Sequence, residues 1–369
     1  MGSPVPRAEA GEATLRVAGA VARNLELFED AAHGRESVFD FEVLGRVVRL
    51  RLAGDSLHRV LTDAVRHRAL RVGAAEPELE ICAWDRRSTG GGADLRGIPI
   101  LGEAEEGRGL VHDPRTLVHG SNGFLAIQGT TPWAAQGYDA ERRRAFLWAA
   151  EPSVLRAWGE HTKPFLEIFH AWLSDSAWQP IHGGAVGSAE GGVLLAGGSG
   201  AGKSTVALSC VRAGWRYAGD DYLAVRTDGG EAFVDNLYGS ARLTVEGAER
   251  FPEFRSAEVG TVAMNGVEKS DLILADVLPR SRFGGFPIRA ILLPSVTGGP
   301  RSRLLPASRA EATVAIGAVT MHFLRTGARA AFGKIAGIAG ATPAYRLQLG
   351  DDIDDLPALI GSEIGLGLR

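Results

Sequence analysis

Midway along the chain, a run of glycines ends in a lysine and two hydroxyl residues: Gly197-Gly198-Ser199-Gly200-Ala201-Gly202-Lys203-Ser204-Thr205. The spacing fits G-x-x-x-x-G-K-[ST], a loop that wraps the phosphates of a nucleotide. Its glycines let backbone N–H groups turn inward and approach phosphate oxygens without side-chain clashes. Lys203 brings a cation to the β/γ-phosphates, Ser204 supplies an oxygen for Mg²⁺, and a helix N-terminus adds the positive end of its dipole. A second cluster follows. Asp220-Asp221 stands 17 residues after Lys203 (220 − 203), room for one helix and one strand. One carboxylate can hold a Mg²⁺ that bridges phosphates while the other takes the proton of an attacking hydroxyl. His182, ahead of the loop, can orient that carboxylate or share its proton if their strands are neighbours, and a purely structural histidine reads equally well.

These residues need elements to place them. Gly192-Val193-Leu194-Leu195-Ala196 is a short apolar run of buried-strand type leading into the loop. Val206 to Val211 leave it as a helix that Gly214 stops, and Trp215 to Asp221 form a strand ending in the two carboxylates. Ile181 to Gly187 form the strand that carries His182. Further on, Arg289 to Pro294 reads as a buried strand. Ser308 with Glu311 opens a helix to Leu324 in a capping-box pattern. Pro343 to Leu349 is a strand, and Ile353 to Ile364 a last helix. The acidic run Asp351 to Asp355 suits a helix start better than a cation site. Arg242 and Lys269 are further phosphate contacts or ordinary salt-bridge partners.

The first part of the chain carries no chemical motif. Residues 1 to about 14 read as a loose tail rich in Ala, Glu, Gly and Pro. Val38 to Leu44 and Val47 to Leu52 alternate around Gly45 as a hairpin with one wet face. Asp55-Ser56 caps a helix carrying Leu57, Val60, Leu61, Ala64 and Val65. Leu79 to Trp84 is a strand, followed by a glycine-rich loop from Ser88 to Gly97. Leu117 to His119 and Phe124 to Ile127 flank a turn as a second hairpin, and Arg144 to Trp148 adds a strand. Pro164 opens a helix with Phe165, Ile168, Phe169, Trp172 and Leu173 on one stripe. The boundary falls just before it: 1–163 an α+β N-terminal domain, 164–369 an α/β domain.

With 369 residues, 45% of them hydrophobic, the chain is long enough for two buried cores. A formal net charge of −4 gives no general attraction to nucleic acid or acidic membranes. Cys82 and Cys210 have no metal-ligand spacing and read as small buried residues in a reducing compartment. No secretory h-region and no run of ~20 apolar residues appears, so the expectation is a cytoplasmic protein with no membrane partner.

Together, Ile181-His182-Gly183, Gly197 to Ser204 and Gly219-Asp220-Asp221 resemble the catalytic core of HPr kinase/phosphorylase and its relatives. The match covers roughly residues 180 to 226, with a looser likeness that includes Glu268-Lys269 and Pro294. The resemblance implies a phosphate-loop kinase domain with a fold akin to phosphoenolpyruvate carboxykinase. It implies that Lys203 and Ser204 bind ATP–Mg²⁺, Asp220 is the general base, Asp221 assists at the metal and His182 sits beside the base. It also implies a protein or peptide acceptor and association through kinase domains, although no interface motif transfers. Divergent relatives of this kind resemble kinases that phosphorylate the terminal serine of a lasso precursor peptide. Two positions depart from the family. Thr205 stands where it has Glu, and Asp235-Asn236-Leu237-Tyr238-Gly239 only partly echoes its downstream Glu-Asn-Leu/Ile-Arg-Gly signature. The expected activity is transfer of the γ-phosphoryl of ATP to a serine hydroxyl. The alternatives are a small-molecule hydroxyl kinase and a nucleotide-binding regulator or NTPase without an acceptor.

Overall fold

The computed structural model describes residues 7–94, 96, 115–120, 123–128, 134–157, 159–264, 266–323 and 328–366. The chain is a mixed α/β protein, its described residues forming three sheets, and it divides into two compact units. Residues 1–62 and 68–172 make the first, and residues 63–67 and 173–369 the second.

The first unit begins with helix α1 (Arg7–Ala32) and strands β1 (Glu36–Val43) and β2 (Arg46–Ala53). The short helix α2 (His58–Thr62), strand β3 (Leu79–Asp85), helix α3 (Arg86–Thr89) and strands β4 (Arg115–Gly120) to β5 (Gly123–Gln128) follow. Strands β6 (Ala134–Asp139) and β7 (Arg144–Ala149) and helices α4 (Pro152–Ala157) and α5 (Leu166–Trp172) complete it. Its seven strands run in the order β1-β2-β3-β7-β6-β5-β4, with β3 parallel to β2 and β7. Val17, Val21, Leu25 and Phe28 of α1 recur at helical spacing and bury against Cys82, Trp84, Phe146 and Trp148.

Three expectations for this unit are corrected. The chain is helical from Arg7, so residues 7–14 belong to α1 rather than to a tail. Its Ala-, Arg-, Glu- and Leu-rich composition carries the helix through Gly11 and Gly19. The helix after Asp55 stops at Thr62, and Ala64 and Val65 are buried in the second unit instead. Phe165 has φ +63°, which no helix accommodates, so α5 starts at Leu166 with Pro164 outside it. The Ser121-Asn122 turn, residue 95 and residues 97–114 lie outside the described residues, as does Leu324.

The second unit opens with β8 (Gln179–Gly187), β9 (Gly192–Leu195), helix α6 (Lys203–Arg212), β10 (Arg216–Asp228) and β11 (Glu231–Asp235). Strand β12 (Ser240–Thr244), helix α7 (Val245–Glu249), and strands β13 (Glu258–Met264) and β14 (Val267–Ile273) form a smaller part. Then come β15 (Phe286–Gly299), β16 (Arg303–Ala307), helices α8 (Arg309–Phe323) and α9 (Ala328–Ala341), β17 (Ala344–Gly350) and α10 (Leu356–Ile364). The main sheet has the order β11-β10-β8-β9-β15-β17-β16, with β15 parallel to β9 and β17, and β11 also pairs with the start of β15. Alternating strand residues feed two faces. Val186, Val193 and Leu195 pack with Val206 and Val211 of α6 and Ile360 of α10. Ile181, Ala185 and Leu194 pack with Ala312 and Ile316 of α8 and Ile335 and Ile338 of α9. The result is a three-layer arrangement with α6 on one side of the sheet and α8–α9 on the other.

Glu311 N–H donates to Ser308 Oγ at 3.2 Å and Ser308 N–H to Glu311 Oε2 at 2.9 Å, so the capping box forms at the start of α8. Two readings of this region are corrected. The last helix starts at Leu356, after a 3₁₀ turn at Ile353–Asp355. β10 does not end at the carboxylates. Tyr222, Leu223, Ala224 and Val225 are buried and continue the ladder with β8, so Asp220 and Asp221 lie in mid-strand.

Candidate functional site

The 197–205 loop joins the C-terminal end of β9 to α6, whose N-cap is Gly202. Gly200 and Gly202 have φ of +80° and +99°, values that a side chain would strain. Lys203 is 7% exposed, and its Nζ donates to the carbonyls of Gly197 at 2.8 Å and Gly198 at 3.0 Å. The lysine thus folds back over its own loop. Burial pushes its pKa down, and the nearby Asp220 and Asp221 oppose that shift.

The carboxylates come from the strand next but one to β9, because β8 lies between β9 and β10. Asp220 pairs with Gly184, Asp221 with Gly183 and Tyr222 with His182. Asp220 is 3% exposed. Its Oδ2 accepts a long 3.5 Å hydrogen bond from the Arg242 backbone N–H, and its Oδ1 completes none. Burial raises its pKa, with the Ser204 hydroxyl and the Lys203 ammonium pulling the other way. A buried carboxylate that is incompletely satisfied by its own protein has coordination or proton-accepting capacity in reserve.

Asp221 is held differently. It sits in the middle of a strand at φ +90°, a conformation that non-glycine residues adopt at a cost. Its Oδ1 lies 3.2 Å from His182 Nε2, so the histidine pairs with the second carboxylate and not with Asp220. His182 is fixed from behind, its N–H donating to Thr320 Oγ1 of α8 at 3.1 Å and its ring edge-on to Tyr222 at 5.6 Å. Its Nδ1 is buried without a hydrogen-bond partner.

The small sheet β12-β14-β13 adds two cations. Arg242 Nε pairs with Asp271 Oδ1 at 2.5 Å, both nearly buried, and the charge of Arg242 is felt by both carboxylates of the site. Lys269 Nζ donates to Ser199 Oγ of the loop at 2.9 Å. The residues singled out in the sequence therefore gather: the loop, Lys203, Ser204, Asp220, Asp221, His182, Arg242 and Lys269 form one electrostatic neighbourhood. Thr205 is half-buried in the first turn of α6. Thr320 gave no signal in the sequence, since a threonine in an apolar helix looks like any other core residue.

Mg²⁺ takes a few hard protein oxygens and fills the remainder of its shell with water and phosphate oxygens. The hydroxyl of Ser204 and the two carboxylates are such donors, and the orphaned Oδ1 of Asp220 leaves a buried oxygen of the cluster uncommitted, so the donor set fits such an ion. Among the described residues no group of three or more His, Cys, Asp or Glu forms a metal cage. That suits an ion whose ligands come largely from a substrate.

No family model matches the chain, and no curated protein matches it. Among solved structures, the HPr(Ser) kinase/phosphatase from Coxiella burnetii matches at 12% identity with a TM-score of 0.26, covering 51% of this chain and 94% of that one. The fold that carries the site is a mixed α/β fold with several sheets. Among the described residues, no helix is long and apolar enough to cross a membrane.

Proposed function

We propose that the chain is an ATP- and Mg²⁺-dependent kinase that transfers the γ-phosphoryl group to a hydroxyl, in the first instance a serine of a protein or peptide. The observation that carries this reading is the pairing of a G-x-x-x-x-G-K-[ST] loop with a buried, incompletely satisfied carboxylate two strands away. A nucleotide switch needs a carboxylate for its metal, whereas two carboxylates in unlike environments allow a division of labour.

In this reading the loop N–H groups, Lys203 and the N-terminus of α6 bind the phosphates and spread their charge. Ser204 and Asp221 would hold Mg²⁺, which when bound would neutralise charge on the phosphate oxygens. Asp220, whose burial raises its proton affinity, takes the proton of the acceptor hydroxyl. The hydroxyl oxygen forms its bond to the γ-phosphorus as the bond to the bridging oxygen breaks, and ADP leaves. His182 steadies Asp221.

The test is incubation with γ-labelled ATP and Mg²⁺, with and without serine-containing peptides, including peptides that end in serine. Label on a peptide hydroxyl supports the proposal. Free labelled phosphate with every acceptor left unlabelled, proteins, peptides and sugars alike, would reduce the activity to that of an NTPase.

A further inference from the structure

A buried polar chain that starts far from the motifs, at His67, reaches the strand that carries Asp220. The ladder between β10 and β8 shifts register between Tyr217 and Gly219, which leaves Ala218 in a bulge with no partner on β8. The Ala218 carbonyl accepts instead from Asn236 Nδ2 at 3.1 Å, and the same amide donates to Tyr238 O at 2.8 Å. Both amide hydrogens are then spent, so Asn236 Oδ1 is left to accept, and it lies 2.5 Å from His67 Nε2. The network requires the His67 proton on Nε2. Asn236 is 1% exposed and His67 6%.

His67 comes from far upstream, yet the segment Asp63–His67 belongs to the second unit. Its seat is built for it. Gly239 N–H donates to Ala64 O at 2.6 Å, and a Cβ at Gly239 would lie 2.7 Å from His67 Nδ1, so only glycine leaves room for the ring. On its other side the imidazole lies 4.2 Å from the Phe283 ring, which meets Tyr217 edge-on at 5.9 Å.

We propose that His67 is a positioning residue for Asp220, acting through Asn236 on the bulge at Ala218. This rests on the kinase reading above and adds to it a residue remote from every motif. Bulges re-aim the side chains that follow them, and the one here falls two residues before the proton acceptor. A buried amide with all its groups satisfied has one orientation, which fixes the bulge carbonyl and through it the start of the Asp220 segment. Losing the imidazole donor leaves Asn236 Oδ1 unpaired and the amide free to turn.

The test uses the full-length chain. His67→Ala removes the donor, and His67→Gln keeps an N–H near the place of Nε2. We expect His67→Ala to lower kcat roughly 10- to 100-fold with KM for ATP within about twofold, the signature of a misplaced group rather than lost binding. His67→Gln restores most of the rate. Amide exchange at Gly219 to Tyr222 speeds up in His67→Ala and stays unchanged in α6. Equal losses in the two variants, a loss confined to KM, or unaltered exchange around Asp220 would overturn the proposal. Should His67→Ala fail to fold, the ¹⁵N shifts of His67 in the native protein decide: protonation at Nε2 is expected, and protonation at Nδ1 alone breaks the chain. Native protein that phosphorylates no hydroxyl sinks the kinase reading instead, and the exchange and ¹⁵N results then judge the positioning by themselves.

Discussion

The two units each hold a seven-stranded mixed sheet, and Asp40 in the first and Asp220 in the second are buried carboxylates treated in opposite ways. In the first, acids and guanidinium groups satisfy one another. Arg49 meets the buried Asp40 at 2.9 Å, Arg51 holds Glu29 at 2.7 Å and Glu36 at 2.6 Å, and Arg144 reaches Glu80 at 2.7 Å. Hydrogen bonds from Arg51 and Arg49 accordingly hold Glu29 and Asp40 below the usual carboxylate range. In the second unit burial works against ionisation, raising the pKa of Asp220 and lowering that of Lys203. Groups whose proton affinity is perturbed by burial beside specific charge partners cluster at functional sites, which points the proposed chemistry to the second unit. Chemistry is expected where the charges are not at rest.

The same substitution in the two sheets puts that contrast at risk. Asp220→Asn should lower phosphoryl transfer about 10²- to 10⁴-fold, the usual worth of a general base. It should also raise the melting temperature of the nucleotide-free protein, because a buried charge is removed. Full transfer activity in this variant, or a lower melting temperature, breaks the comparison. His170 supplies a pH test within the first unit. Burial lowers its pKa to about 4, so between its ordinary value near 6.5 and about 4 the unfolded chain binds the extra proton. Stability should therefore rise with pH across that window by roughly 1 kcal/mol per unit, and His170→Leu should flatten the dependence in thermal melts. An unchanged slope would sink the assignment. Asp40→Asn should cost about 1–3 kcal/mol in denaturant titration, the opposite sign to Asp220→Asn, since it leaves the partly buried Arg49 short of a partner. A stabilised Asp40→Asn variant would mean that the pairs of the first sheet are no different in kind from the site.

Much of the site was legible because its parts are contiguous. Gly197 to Thr205 carries its strand, turn and helix in one run of sequence, and Asp220-Asp221 follows within one element. What the residues could not convey was register. Whether His182 meets Asp220 or Asp221 depends on a ladder in which Tyr222 opposes His182, and on a φ of +90° at Asp221 that no propensity foretells. The same limit hid the continuation of β10, whose apolar Tyr222 to Val225 follow a Gly-Asp-Asp that reads as a turn. The start of helix α1 is hidden for another reason: alanine and glycine near a chain end look like a tail until Val17, Val21, Leu25 and Phe28 find a sheet to cover. In the sequence Asn236 reads only as a fragment of a signature. Its use, through His67, depends on a partner 169 residues away, a separation no local pattern spans.

The short pairing of β11 with the start of β15 has a further consequence, for the behaviour of the protein in a crowded solution. It joins one flank of the second sheet back onto an interior strand, so among the described residues β16 is left as the flank open to another chain. That strand is five residues long and carries Arg303 and Pro306, and the proline withholds a backbone donor from any strand docking there. The border that the second sheet leaves open is thereby a poor template for a further strand.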